Sequence, residues 1–327
     1  MDLDLLASEL IRALRGRRSQ TALSRRLGYK SNVVYTWEAG IRAPTASEAL
    51  RVAERVGVDL RAAVARFYRA EPAWLSTCEV ASPEGVVAWL TDLRGDTPIS
   101  GLAQRSGLSR WAVARALSGR SEPRLPDFLR LVEAASLRVL DLVAALVDPS
   151  KLPSARSRWR RLEAQRRLAA EQPYTQAVLR AVELADYEAL PAHVEGWIAA
   201  RLGLPEGVEG ACLERLAEAG EIRWERGRWR PAGALAVDTR SDPEASRRLK
   251  AWWARVGLER IGQDPEGLWS YNVVSVSKAD LRRIHELHLA YFRAVRAIVA
   301  QSEPAERVAL INVQCFALDR PGLGSAS

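Results

Sequence analysis

The sequence predicts a mainly α chain: two tandem five-helix units, then a helix–helix–hairpin unit and a small α+β unit at the C-terminal end. Three observations predict it. Residues 10–67 and 89–146 align without a gap at an offset of 79. Residues 192–231 carry two short helical stripes, then alternating residues around Arg226-Gly227. Residues 270–318 set a long helical stripe between two runs of strand-forming residues. A chain of 327 residues implies two or three domains, and 48% hydrophobic residues supply several cores.

The repeat rests on residues that fix turns as well as on apolar ones. Leu14/Leu93, Arg15/Arg94, Gly16/Gly95, Leu23/Leu102, Arg26/Arg105, Gly28/Gly107, Gly40/Gly119, Pro44/Pro123 and Leu50/Leu129 match in register. Helices are expected at 4–14, 20–27, 31–39, 46–56 and 60–68 in the first copy. Gly28 follows the second helix, where a left-handed residue lets the chain turn sharply. Gly40 ends the third, and Pro44 stops it from running on. Ala22, Leu23, Leu27, Val34 and Trp37 are the inward positions around that turn.

These residues resemble the Cro/CI-type (Xre-like) helix-turn-helix domain. LRGRRSQTALSRRLGYKSNVVYTWEAGIRAP carries the resemblance in the first copy, and LRGDTPISGLAQRSGLSRWAVARALSGRSEP in the second. The resemblance implies five helices, with the third, 31–39, laid in the DNA major groove. It implies base-reading positions at Ser31, Asn32, Tyr35 and Thr36. It implies phosphate contacts from Arg17, Arg18, Gln20, Arg25, Arg26, Lys30 and Arg42. Gln20 also braces the third helix, and Trp37-Glu38 matches the family's inward pair. Lys30 stands where the family has Ser or Thr, so the third helix is expected to lose a side-chain cap and gain a phosphate-reaching cation. The second copy departs further: Ile99 replaces the Gln, and Ala116-Leu117 replaces Trp-Glu. Two readings of it compete. It is a second DNA reader, using Ser109, Arg110, Trp111, Arg115 and Arg120, or a packing and dimerisation module anchored by Trp111.

The net charge of +8 is uneven, and 44 of the 48 cations are Arg. Residues 1–70 carry +6, 71–150 carry −2, 151–170 carry +6, 171–233 carry −4 and 234–327 carry +2. Clustered basic charge is the electrostatic footprint of nucleic-acid binding. The second basic segment, SARSRWRRLEAQRRLAAEQP, has no interior Gly or Pro and reads as one helix. Arg156, Arg160, Arg161 and Arg167 make it a candidate clamp on the DNA backbone, against the plainer reading of a solvated helix.

Residues 192–231 resemble a winged helix-turn-helix. Its second helix is acidic (Glu206, Glu209, Glu214, Glu218), which a phosphate-lined groove repels. A structural or dimerising role is therefore expected, with Arg226 and Arg228 of the hairpin as minority DNA contacts. Farther on, a helix at about 242–256, a strand within SYNVVSVSKADL, a helix capped by Ser277 and a strand in RVALINVQCFAL follow. Residues 155–319 resemble a C-terminal domain of unknown function that follows Xre-type domains in bacterial regulators, which imports a regulatory context only. The expected domains are 1–70 and 80–150 (the two copies), 151–188 (basic connector helix and the next helix), 189–233 (winged helix), 234–320 (α/β unit) and a disordered tail, 321–327.

Other chemistry is sparse. Cys78, Cys212 and Cys315 show neither disulfide nor metal spacing. His285 and His288 lie three apart with no third ligand, and His193 stands alone at a helix start. No phosphate loop, dinucleotide fingerprint or nucleophile elbow occurs, so no enzyme, cofactor or metal is expected. MDLDLLASEL is too acidic for a signal peptide, and no run of 18 apolar residues occurs. A cytoplasmic, nucleoid-associated protein without membrane contact is expected. The resulting expectation is a homodimeric regulator that binds double-stranded DNA sequence-specifically, a repressor rather than an activator. The alternatives are a regulator sensing a small molecule or peptide through its C-terminal domain, and a defence-associated or architectural DNA-binding protein.

Overall fold

The computed structural model describes residues 1–68, 71–232, 243–263, 266–299 and 302–319, the side chains of Arg293, Arg296 and Ala297 aside. The tail expected at 321–327 lies outside the described residues. The chain divides into two compact units, and the division falls between Arg166 and Arg167, inside a helix.

The first unit holds two runs of five helices. The first run is α1 (Leu3–Arg15), α2 (Gln20–Arg26), α3 (Val33–Glu38), α4 (Ala46–Arg55) and α5 (Leu60–Tyr68). The second is α6 (Pro83–Arg94), α7 (Ile99–Ser106), α8 (Arg110–Leu117), α9 (Leu125–Ser136) and α10 (Val139–Leu146). Side-chain oxygens take up orphan amides at many of the starts. Asp2 caps α1, Ser19 caps α2, Ser82 caps α6 and Ser109 caps α8. Thr45 and Glu48 close a capping box on α4. The tight turns between the second and third helices need positive φ, which Gly28 (+87°) and Gly107 (+72°) supply.

The two runs share a single core. Leu6, Ile11, Leu23, Val34 and Leu50 belong to the same buried cluster as Leu102, Val113, Leu129 and Val143. Phe67 meets Trp89 edge-on at 5.9 Å, and Trp89 meets Phe128 at 5.7 Å. At the junction Thr45 and Arg124 form an antiparallel bridge. Its bonds run from Ala46 N to Pro123 O (2.9 Å) and from Leu125 N to Pro44 O (2.8 Å). The basic connector is a helix, α11 (Pro153–Glu171). Ser154 N and Oγ donate to Glu9, at 3.1 and 2.7 Å, and Leu152, Ala155 and Leu162 join the core.

The second unit contains α12 (Tyr174–Ala181), α13 (Ala185–Glu188), α14 (Trp197–Leu202), α15 (Val208–Glu218), β1 (Ile222–Glu225), β2 (Arg228–Pro231), α16 (Pro243–Arg260) and α17 (Lys278–Val299). Val178, Val182, Tyr187, Ile198, Leu213, Leu216 and Ile222 form its core. The hairpin pairs Arg223 with Arg230 and Trp224 with Trp229. Its two turn residues, Arg226 and Gly227, both have positive φ, as a two-residue loop between right-twisted strands requires.

Three expectations need correction. The third helix begins at Val33, not at residue 31, and it does have a side-chain cap: Asn32 Oδ1 accepts from Tyr35 N at 3.4 Å. The strands expected in SYNVVSVSKADL and RVALINVQCFAL do not form. Residues 270–277, ahead of α17, and 307–318 run without helix or strand, because a strand exists only where a partner supplies its ladder bonds, and neither stretch finds one among the described residues. The C-terminal unit is therefore helical, with the β1–β2 hairpin as its sheet. Finally, His193, expected at a helix start, lies four residues before α14 begins at Trp197. The helix after Ser277 does form, with Asp280 N donating to Ser277 Oγ at 3.0 Å.

Candidate nucleic-acid interface

The position of α3 is set from below by one buried carboxylate. Glu38, 5% exposed, ends the helix. Its Oε2 accepts from Gln20 Nε2 at 2.7 Å and from Arg15 Nη2 at 3.1 Å, and its Oε1 accepts from Arg15 Nε. Arg12 Nη2 donates to the Glu38 carbonyl at 3.3 Å. A buried charge is tolerable only when paired and fully hydrogen-bonded, so this cluster ties α1, α2 and α3 together. The hydrogen bond to Glu38, more than any other influence, raises Arg15 above the usual arginine value. A second tie sits at the other end of α3. Ser24 Oγ accepts from Val34 N at 3.1 Å and lies 3.2 Å from Asn32 Oδ1, to which it can donate. Gln20 is thus committed to the brace expected of it. Arg15 was missed by sequence reasoning, because it lies 23 residues from the carboxylate it pairs with and no local pattern links the two.

Below α3, Trp37 meets Tyr29 edge-on at 5.8 Å, and Tyr29 Oη donates to Glu48 Oε1 at 2.6 Å. Burial, then that hydrogen bond, pushes Tyr29 up to about 12. Burial would raise Glu48, but hydrogen bonds from Tyr29 Oη and Thr45 N, with Arg124 and Arg51 nearby, hold it below the usual carboxylate value. A cleft of about 420 Å³ opens here, lined by Val33, Thr36, Trp37, Arg42 and Arg124 among others.

The outward side of α3 is polar and unencumbered. Ser31, Asn32 and Tyr35 are exposed, and Thr36 is half-buried with its hydroxyl donated to Val33 O at 2.7 Å. Arg17, Arg18, Arg25, Arg26, Lys30 and Arg42 are all exposed, and none forms an ion pair among the described residues. Asn32, an exposed residue, spends its oxygen on the cap.

The second copy lacks the polar brace. Ile99 and Leu117 stand where Gln20 and Glu38 stand in the first, and Arg94 Nε, at the place of Arg15, is buried with no hydrogen-bond partner. Ser109 is spent on the α8 cap, at 3.1 Å from Ala112 N. Arg105, Arg110, Arg115 and Arg120 are exposed without ion pairs among the described residues, and Trp111 is 79% exposed. Asp96, exposed, stands where the first copy has Arg17, and four other acids behind this copy's negative total are committed elsewhere. Asp127 pairs with Arg130 at 2.9 Å, Glu133 with Arg158 at 2.9 Å and Asp141 with Arg166 at 2.7 Å, while Glu122 accepts from Ser47 N at 2.7 Å.

The other basic segments are partly committed inside the fold. On α11, Arg156 Nε donates to Ser150 O at 2.7 Å, and Arg158 and Arg166 pair with the acids just named. Arg161 is half-buried, which leaves Arg160 and Arg167 exposed. In the hairpin, the Arg228 guanidinium donates to the carbonyls of Glu188 and Leu190. Arg223 pairs with Glu225 at 2.6 Å and Arg230 with Glu188 at 3.7 Å, while Arg226 at the tip is exposed and forms no ion pair among the described residues. Glu209, expected on an acidic outer face, is buried instead and accepts from Ala199 N at 2.7 Å. His193 is not isolated either: its Nδ1 lies 3.0 Å from Tyr187 Oη and its Nε2 3.9 Å from Glu209. Burial first raises Tyr187 above the usual tyrosine value, and it pushes the Cys212 thiol up to about 11. Trp252 packs edge-on against Tyr174 at 4.6 Å and Trp253 at 4.7 Å, while Trp269 and Tyr271 are exposed. Among the described residues no group of three His, Cys, Asp or Glu side chains could hold a metal, and no helix is long and apolar enough to cross a membrane.

A braced third helix behind a glycine turn, with exposed cations that form no ion pair among the described residues, is the arrangement of a DNA-binding helix-turn-helix domain of a transcription regulator. Residues 11–62 match the family model described as Helix-turn-helix, in agreement with that geometry. Residues 154–318, just over half the chain, match the model of a domain of unknown function, DUF4423, and the chain belongs to that family. No curated protein and no solved structure matches the chain.

Proposed function

We propose that this protein is a sequence-specific regulator on double-stranded DNA, acting by occlusion as a repressor. One observation carries the reading. Ser31 and Asn32 at the start of α3 and Tyr35 within it are exposed, six cations between Arg17 and Arg42 are exposed without ion pairs among the described residues, and the helix is held from beneath by Glu38. Cations free of internal partners are available to phosphates, and small polar groups on a braced helix are available to base edges. In this reading Arg17, Arg18, Arg25, Arg26, Lys30 and Arg42 position the duplex, while Asn32, Ser31, Tyr35 and Thr36 read it.

The remaining segments take supporting roles. Residues 80–150 are a diverged second helix-turn-helix domain, and 189–233 a winged helix used structurally, since Arg228 and Glu209 are spent inside it. Arg160 and Arg167 of α11 touch the DNA backbone. The C-terminal unit joins two chains, as the exposed Leu268, Val273, Val274, Phe316 and Leu318 favour.

Selection of bound sequences from a random DNA pool tests the reading. A base-reading protein enriches one motif and holds it about 10³-fold or more over random DNA. A flat pool with tight binding at low salt would instead mark an architectural protein.

A further inference from the structure

We infer that one chain carries both halves of a DNA reader: the two five-helix runs form an internal pseudo-dimer, and α8 reads a second half-site that differs in sequence from the one under α3. This rests on the DNA-binding reading above and deepens it.

Residues 79 apart meet across the junction. Thr45 bridges Arg124, and the two flanking bonds, Ala46 N to Pro123 O and Leu125 N to Pro44 O, exchange into each other when the copies are swapped. The helices obey the same rule. α4 touches α9 and α5 touches α10, each meeting its own counterpart, and the contact of α1 with α9 is mirrored by that of α6 with α4. Contacts that map onto themselves on exchange are the mark of a two-fold, isologous interface. Rotation about an axis preserves height along it, so the local two-fold sets α3 and α8 at the same level. Both lie close to the axis in the chain: Glu38 ends α3 seven residues before Thr45, and Leu117 ends α8 seven residues before Arg124. Val33, Thr36 and Trp37 line the same cleft as Arg124. Helix-turn-helix dimers present two third helices to successive major grooves in this way. Here both helices come from one chain, so the two heads need not be alike.

The charge agrees. Between Ile99 and Ser121 there are four arginines, all exposed, and no acid. The matching stretch, Gln20 to Arg42, has four exposed cations, and its single acid is the buried Glu38. The −2 of the second copy thus does not describe α7 and α8, although Asp96, exposed ahead of α7, stands where the first copy has Arg17. Ser31, Asn32 and Thr36 correspond to Arg110, Trp111 and Arg115. Two guanidinium forks suit the O6 and N7 acceptors of guanine, and an exposed ring suits a thymine methyl. The second half-site is therefore guanine-containing and unlike the first.

The test uses the full chain and its selected duplex. With duplex in excess, sedimentation is expected to give equal numbers of chains and two-part sites, two of each where the C-terminal units join two chains. Scrambling the guanine-containing half is expected to weaken wild-type binding by about tenfold or more. Arg110→Ala with Arg115→Ala, two exposed side chains whose removal leaves the core intact, is expected to be nearly indifferent to that scrambling. Two chains per duplex over identical halves would overturn the inference, as would an equal loss in variant and wild type. Both outcomes leave the regulator reading standing; absence of preference for any duplex would overturn both.

Discussion

The two five-helix runs share a chain trace, a turn glycine and a core, yet they position their third helices by different means. In the first, a buried carboxylate gathers Arg15 and Gln20 under α3. In the second, Ile99 and Leu117 occupy those places and Arg94 Nε is left without a partner. The contrast teaches that one fold can hold a helix by a polar brace or by apolar packing. The brace specifies geometry at a desolvation cost, while apolar packing frees the outward residues to change. The outward faces diverged accordingly, from Ser31, Asn32 and Thr36 to Arg110, Trp111 and Arg115.

Four experiments break or sharpen this comparison. The largest effect is expected from Glu38→Ala, which strands Arg15 and Gln20 and should cost about 3–5 kcal/mol in urea unfolding. Leu117→Ala, at the matching half-buried place, should cost about 2 kcal/mol. Equal costs would mean that the brace adds nothing. Next is Asn32→Ala, which loses the α3 cap, about 1 kcal/mol of stability, and a base contact. Asn32→Ser keeps the cap, so it should restore stability without restoring discrimination at that base pair. Salt slopes rank third. Removing Arg110 and Arg115, placed on guanine edges, should relax discrimination there with little change in the slope of log K against log salt, whereas loss of two phosphate contacts lowers it by about 2. Removing Arg160 and Arg167 does so only if α11 is a clamp, and an unchanged slope assigns that helix to the fold.

The smallest effect is on pH. Tyr29 has its folded pKa raised to about 12, so its contribution is complete below the ordinary tyrosine value of about 10 and fades as pH climbs from there to about 12. Glu48 is lowered, so its contribution is present above the ordinary carboxylate value and is lost on acidification through the lowered one. The second copy has Leu108 and Asp127 at the matching positions, and a leucine cannot make this bond. Tyr29→Phe should therefore flatten the alkaline limb of a stability profile, and an unaltered limb would remove this pair from the account.

Much of the N-terminal unit was legible because glycine and proline fix turns at set intervals. Matched Gly28/Gly107 and Pro44/Pro123 placed ten helices within a few residues. The start of α3 was misjudged because Asn32 reads equally as a base contact and as a cap. The brace was illegible, since Arg15, Gln20 and Glu38 converge only through the packing of three helices. Charge totals misled for the second copy, because three of its acids, Asp127, Glu133 and Asp141, pair with Arg130, Arg158 and Arg166, and none lies between Ile99 and Ser121. In the C-terminal unit, alternation in SYNVVSVSKADL reports an amphipathic surface, but it cannot report whether a partner strand exists.

Hydroxyl-radical footprinting of the selected duplex tests the central claim most directly. Two protected patches on one face of the duplex are expected from the wild type, and Arg110→Ala with Arg115→Ala should weaken one patch while keeping the other. A single patch, identical for both proteins, would contradict the account.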